Sequence, residues 1–475
     1  MTSISIGAAI VLSLVALAGS RPRTAAMALV LSYFFALPVT IFATGANSAV
    51  FVCDIVLLAV LLRWGRTSMQ RMRQVQVPGA MALWALMGCV VVSRLFVVFR
   101  LPTFMSFMHL GFYSLRFLMF VLNFVVLATL PLTRQDYRKL LGWICLLVAA
   151  LGVGNLVSST GLVNLNFYVG DILKYGPQEI RDDPELMHSF LLGFNRAVIG
   201  LFAYTGIMLV LLRAWLGGKG WGVLMFVLLP LYGFLLLDSF SRSAIIAIVV
   251  GLTVLGFRVG ARRLIGLSFV LTIGGVVLIL LATDVSVWGE RFGALYSAEA
   301  FRKSTGAGRI EGWLQVLAYL KNHPEFLILG AGFYGYGAHF VRIAAVTRGS
   351  AGHNMYVHSL GELGVPGLTL FLILWTRLVQ TFYRMGAGSN PDSEQQLVGR
   401  AMVAFWVGVL ASGVSQESLY PIYTMYSSAC LMMLVFAVTL AAYQPAAMPV
   451  PSMGYTVPSV WARRGPELGY DVRRM

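Results

Sequence analysis

Runs of about 20 apolar residues recur from the N-terminus to Tyr443, and no other feature limits the fold so tightly. In hydrocarbon every backbone polar group must be satisfied within the chain, so a run of that length is stable as a membrane-crossing helix. The runs fall near residues 4–19, 25–45, 48–63, 79–98, 109–130, 140–160, 190–212, 221–239, 243–257, 264–283, 367–383, 399–417 and 421–443. Composition agrees, since 58% of the 475 residues are apolar and 11% are charged, against roughly 45–50% and about 25% in soluble domains. The expected fold is all-α, a polytopic membrane protein with about 12 to 13 transmembrane helices. Residues 1–443 form the membrane domain, and residues 444–475, with spaced prolines and little apolar content, form a disordered cytoplasmic tail. The first run lacks a basic start and a small-residue cleavage site, so it reads as a retained span.

Basic residues fix the orientation. Alternate short loops carry Arg21 and Arg23; Arg63, Arg66, Arg71 and Arg73; Arg134, Arg138 and Lys139; Arg213 and Lys219; Arg258, Arg262 and Arg263; and Arg377, Arg384 and Arg400. The opposite short loops hold only Arg100, Lys174, Arg181 and Arg242. The positive-inside rule assigns the first set to the cytoplasm. Most of the formal charge of +16 is thereby a topological anchor, and nucleic acid is not an expected partner. Cys53, Cys89, Cys145 and Cys430 lie far apart inside predicted spans and read as packing residues.

Two stretches on the other side are long enough to carry function, residues 161–189 and the extracytoplasmic loop 284–352. The first, with GDILKYGPQEIRDDPELMHSF, reads as a broken amphipathic helix along the membrane surface. In the second, Ile310, Trp313, Leu314, Leu317 and Leu320 recur at three-and-four spacing and predict one amphipathic helix. It starts after Gly306 and Gly308 and stops at Asn322-His323-Pro324. The following GAGFYGYGAHF has glycine spacing like a dinucleotide loop, but no βαβ unit surrounds it.

Arg94, Arg116 and Arg196 fall inside apolar runs, and Arg242 lies between two runs in DSFSRSA. A charge at mid-membrane costs a few kcal/mol, so such residues face a bundle interior or wet cavity, or else snorkel or pair locally, as Arg242 could with Asp238. A guanidinium offers a rigid fork of donors that suits phosphate oxygens, and Arg309, in the first turn of its helix, has free amides nearby that favour anions. Beyond the loop stands GHNMYVHSLGELGVPG, residues 352–367. HNMYVH does not have the zincin spacing, and although His358 and Glu362 are four apart, no metal is expected. One histidine is expected to act as acid or base, since an unperturbed imidazole exchanges its proton near neutral pH. Asn354 is placed to cap a short helix, and Gly364, Pro366 and Gly367 to turn it into the next span.

These residues resemble the O-antigen ligase and polymerase family of bacterial envelope glycosyltransferases. His353-Asn354, nine residues, Gly364, two residues and Gly367 fit the ligase pattern, and Ser241–Ala244 (SRSA), Arg309–Trp313 (RIxxW) and Pro324–Gly332 recur in order over about residues 190–440. The resemblance implies metal-independent, cofactor-free transfer of a glycan from an undecaprenyl diphosphate-linked donor to a lipid or glycan acceptor, inverting the anomeric centre. It places the active site on the periplasmic side of the bacterial inner membrane. Carried over, Arg242 and Arg309 hold the diphosphate, His353 takes the acceptor proton, and Arg196 is a second carrier contact. Asn354 and Glu417 complete the substrate-binding set, Gly364 and Gly367 belong to the signature, and His358 and Glu362 become helix and packing residues. A repeat-unit polymerase of the same family is the alternative, a lipid-linked glycan transporter is a more distant one, and a metalloprotease would be chelator-sensitive.

Overall fold

The computed structural model describes residues 2–34, 38–41, 49–72, 77–100, 102–160, 162–163, 190–191, 194–218, 220–239, 241–259, 272–277, 307–333, 354–387, 393–416, 418–420 and 426–443. Helices dominate. In chain order they are α1 (Thr2–Ala18), α2 (Pro22–Tyr33), α3 (Val52–Met72), α4 (Ala80–Arg100), α5 (Phe104–Thr129), α6 (Arg134–Ser159), α7 (Arg196–Trp215), α8 (Trp221–Asp238), α9 (Arg242–Val259), α10 (Ala307–Asn322), α11 (Pro324–Leu329), α12 (Met355–Ala387), α13 (Ser393–Ser412) and α14 (Tyr426–Tyr443). Seven of the described helices, α4 to α8, α12 and α14, contain a stretch long and apolar enough to cross a membrane, and α1 and α9 contain shorter apolar stretches. The protein is an all-α, multi-pass membrane protein. Of the predicted spans, 264–283 lies mostly outside the described residues, as do loop 161–189 apart from residues 162–163 and the tail 444–475.

One segment departs from the apolar pattern. Residues 25–45 and 48–63 read as two consecutive spans, but α2 ends at Tyr33 and β1 (Pro38–Ile41) pairs antiparallel with β2 (Ala49–Phe51). Pro38 lacks an N–H, and a proline disfavours helical backbone at the position before it. At about 18 Å, a helix of 12 residues falls short of the roughly 30 Å hydrocarbon core. A second, two-residue hairpin joins β3 (Phe190–Leu191) to β4 (Phe194–Asn195), directly before α7.

Burial sorts the helices. The spanning window of α14 is 89% buried, whereas that of α4 is 39% buried, so α14 is a central helix and α4 a lipid-facing one. Asn123 of α5 ties this centre together, accepting from the Tyr33 hydroxyl at 2.5 Å and donating to the Cys430 carbonyl at 3.2 Å. At the end assigned to the cytoplasm, Arg138 of α6 grips Glu394 of α13 bidentately at 3.0 and 2.6 Å. Cys53, Cys145 and Cys430 are buried thiols, in keeping with a packing role.

Candidate active site

Five of the described helices carry an arginine in the first turn, Arg23 in α2 and Arg134 in α6 at the end assigned to the cytoplasm and three others at the opposite end. Arg196 opens α7, Arg242 opens α9, and Arg309 is the third residue of α10. The first turn of a helix presents unpaired N–H groups and the positive end of its dipole, which adds to a guanidinium in attracting an anion. Ser241 caps α9, its Oγ accepting from the Ala244 N–H at 3.3 Å and lying 2.9 Å from Ser243 Oγ. This SRSA step presses on α7 at Gly200, where a Cβ would lie 2.6 Å from Ser241 Cβ and 2.7 Å from Ala244 Cβ. The starts of α7 and α9 are therefore side by side. The side chains of Arg196 and Arg309 lie outside the described residues. Asp238, the acid nearest Arg242 in sequence, accepts from Asn155 Nδ2 at 2.7 Å.

The histidine motif starts at the same end of the bundle. Ala247 of α9 faces Gly408 of α13, where a Cβ would lie 2.5 Å from the Ala247 carbonyl. Gly251 faces the Tyr204 hydroxyl that donates to the Phe405 carbonyl at 2.6 Å, so α9 and α13 run antiparallel. Arg242 and Gly413 each lie five residues beyond that contact, about 7.5 Å along their helices. The Gly413 carbonyl in turn accepts the Met355 N–H at 2.8 Å. Asn354 is thus level with Arg242, while His353, the residue before it, lies outside the described residues, as does Glu417.

Asn354 is the helix cap that its position suggests. Buried at 6% exposure, its Oδ1 accepts from the N–H groups of Tyr356 at 2.9 Å and Val357 at 3.1 Å, and the Tyr356 hydroxyl donates to the Leu410 carbonyl at 2.8 Å. The side-chain oxygen thereby fixes the start of α12. Asn354→Ala is expected to cost about 1 kcal/mol of stability and Asn354→Asp much less. Thermal unfolding of the two variants in detergent checks this, equal losses counting against the cap.

Two sequence motifs far apart in the chain dock here. Helix α12 is interrupted at Gly364 (φ 68°, ψ −173°), which separates a short helix from the long one. Into that break fits the loop after α11, where Ala331 N–H donates to the Gly361 carbonyl at 2.8 Å and Gly332 N–H to the Glu362 carbonyl at 3.0 Å. The helix of Arg309 leans on the same assembly, with Val316, Leu320, Phe326 and Ala331 forming a small core against Val357, Leu360 and Phe96. Ile310, Leu314 and Leu317, from the predicted stripe, are exposed instead, whereas Leu320 is buried.

Glu362 holds a more structured position than its spacing from His358 alone conveyed. It is 1% exposed, with Oε1 3.1 Å from His358 Nε2 and Oε2 accepting from the Tyr420 hydroxyl at 2.8 Å. A buried carboxylate needs such partners, and here they join the histidine motif to the segment after α13. Arg116 has a comparable structural setting, 3.8 Å from Asp54 and stacked over the Tyr426 ring at 4.6 Å. Arg94 lies over the Tyr113 ring at 4.5 Å, and its Cδ is 3.6 Å from where a Gly332 Cβ would stand, so it borders the docked loop.

Comparison with known families bears on residues 223–372, which match a family profile described as O-antigen ligase. The chain carries an O-antigen ligase-like domain. The match encloses Arg242, Arg309, His353, Asn354, Gly364 and Gly367, and leaves Arg196 and Glu417 outside. No curated protein matches the chain. The matched residues cover α8 to α11 and the first half of α12, and α4, α6, α7 and α13 pack against these helices.

Proposed function

We propose that the protein transfers a glycan from an undecaprenyl diphosphate carrier to an acceptor hydroxyl at the periplasmic face of the bacterial inner membrane. The observation that carries this reading is the meeting, at one bundle end, of two arginine-opened helix starts and the capped start of the histidine motif. Arg242 and Arg309 hold the diphosphate, with Arg196 as a further contact, so the leaving group departs with its charge already compensated. The acceptor oxygen attacks the anomeric carbon, its proton passes to His353, and the bond from that carbon to the diphosphate oxygen breaks. One displacement inverts the anomeric centre. No metal is required once the arginines hold the charge, and Glu417 is assigned to the substrate-binding set on its place in the sequence.

A bidentate fork and a point charge differ at such a site, so Arg242→Lys is expected to lower kcat/KM for the carrier-linked donor by about tenfold and Arg242→Gln by more. Equal activity of Arg242→Gln and wild type would remove Arg242 from the donor site. A deletion strain separates the two members of the class. Long carrier-linked chains left unattached mark a ligase, and single carrier-linked repeat units mark a polymerase.

A further inference from the structure

At the opposite end of the bundle, α4 and α12 enclose a groove of about 870 Å³ that the transfer reaction does not use. Its size is that of a ligand pocket. Gly79, with φ of 77°, brings the start of α4 onto α12, since a Cβ there would lie 2.7 Å from Leu374 Cδ1. One wall is a single stripe of α12, in which Leu370, Ile373, Arg377, Gln380, Thr381 and Arg384 recur at three-and-four spacing. The stripe is graded, apolar toward the middle of the span and cationic toward its cytoplasmic end. Facing it, Met81 and Ala85 of α4 continue the apolar part, with Met81 88% exposed. Among the described residues neither Arg377 nor Arg384 forms an ion pair, in contrast to Arg138, which is held by Glu394 in the same end of the bundle.

We infer that this groove binds an anionic phospholipid of the cytoplasmic leaflet. Arg377 and Arg384 bracket the phosphate, and an acyl chain runs along Leu370, Ile373, Met81 and Ala85. Charge and shape both select this occupant. A cationic pocket between helices at the cytoplasmic side attracts anionic head groups, and an apolar floor continuous with the bilayer excludes a soluble anion as its natural filling. Arginine stems cover apolar surface while their heads remain at the interface, which places the two guanidinium groups at head-group depth. The site is independent of the glycan-transfer reading, because it rests on residues at the other end of the spans.

The test uses the full-length protein in a neutral maltoside detergent, with phosphatidylglycerol titrated in and binding followed by native mass spectrometry and by the unfolding midpoint. Wild type is expected to bind phosphatidylglycerol and to be stabilised by it, whereas phosphatidylcholine of the same chains and soluble glycerol phosphate have little effect. Each basic contact is worth about 1 kcal/mol, so the R377Q/R384Q double variant is expected to bind about 30-fold more weakly. The variant R63Q/R66Q, which removes the same charge from the end of α3, is expected to retain wild-type affinity. Undiminished binding by R377Q/R384Q, equal binding of phosphatidylcholine, saturation by glycerol phosphate, or an equal loss in R63Q/R66Q would each overturn the assignment.

Discussion

Replacing His353 by alanine is expected to lower glycan transfer by about 10²- to 10⁴-fold, the range that a positioned general base contributes. The size of the effect follows from the division of labour proposed above. Arginines and helix amides stabilise the departing diphosphate before the reaction starts, which leaves the acceptor hydroxyl as the one weak reactant. Donor binding should survive in this variant, since the proposed donor contacts lie on α7, α9 and α10, so the loss belongs in kcat and not in KM. The check is initial-rate kinetics with purified protein and a carrier-linked glycan. Full activity of His353→Ala would remove the proposed base. A transporter makes the opposite prediction, because movement of an intact lipid-linked glycan requires no base.

Gly330→Ala is expected to destabilise the protein by about 2 to 6 kcal/mol and to abolish transfer. Gly330 has φ 70° and ψ 174°, a region that is almost confined to glycine and costs other residues about 1 to 3 kcal/mol. A Cβ there would also lie 2.1 Å from the Glu362 carbonyl oxygen and 2.6 Å from the Leu363 N. Neither neighbour is a flexible tip that could swing aside. Gly364 answers it from the other side of the joint, with the same kind of backbone conformation and with the Ile328 and Leu327 carbonyls 2.7 Å from its would-be Cβ. Two glycines back to back therefore lock the segment after Arg309 onto the helix after His353. Alanine at either should separate α10, the helix of Arg309, from the histidine motif. Gly88→Ala, in open space on α4, is the control and is expected to be neutral. Unfolding midpoints and transfer rates measured on the three variants check this, and a Gly330→Ala protein as stable as Gly88→Ala would contradict the docking.

What the sequence disclosed, and what it concealed, follows from the range of each interaction. Asn354 as a cap and Gly364 as a break were legible because both depend on a few neighbouring residues and on backbone preferences. The ends of α10 were legible to within two residues for the same reason, since it starts at Ala307, between the two glycines, and stops at Asn322, the first residue of the Asn322-His323-Pro324 breaker. Which face of α10 is buried was not legible. In a membrane protein an apolar side chain can meet lipid as readily as protein, so Ile310, Leu314 and Leu317 share a pattern with the buried Leu320 while the fully buried Val316 falls outside it. The joint between Gly330 and Gly364 was hidden because the two lie far apart in the chain, and the motifs that contain them appeared only as separate signatures. Tyr420 as the partner of Glu362 was hidden likewise, 58 residues away. The hairpin of β1 and β2 escaped because its residues are as apolar as a span, and Pro38 was its one local signal.

The most direct measurement follows the carrier itself. Purified protein in proteoliposomes is given an undecaprenyl diphosphate-linked glycan and an acceptor, and the lipid products are identified by mass spectrometry. Transfer by displacement at the anomeric carbon releases undecaprenyl diphosphate in one-to-one ratio with new glycosidic product, in the presence of a chelator as in its absence. Intact carrier-linked glycan recovered in the opposite leaflet, with no undecaprenyl diphosphate released, would contradict a transferase and leave a transporter in its place.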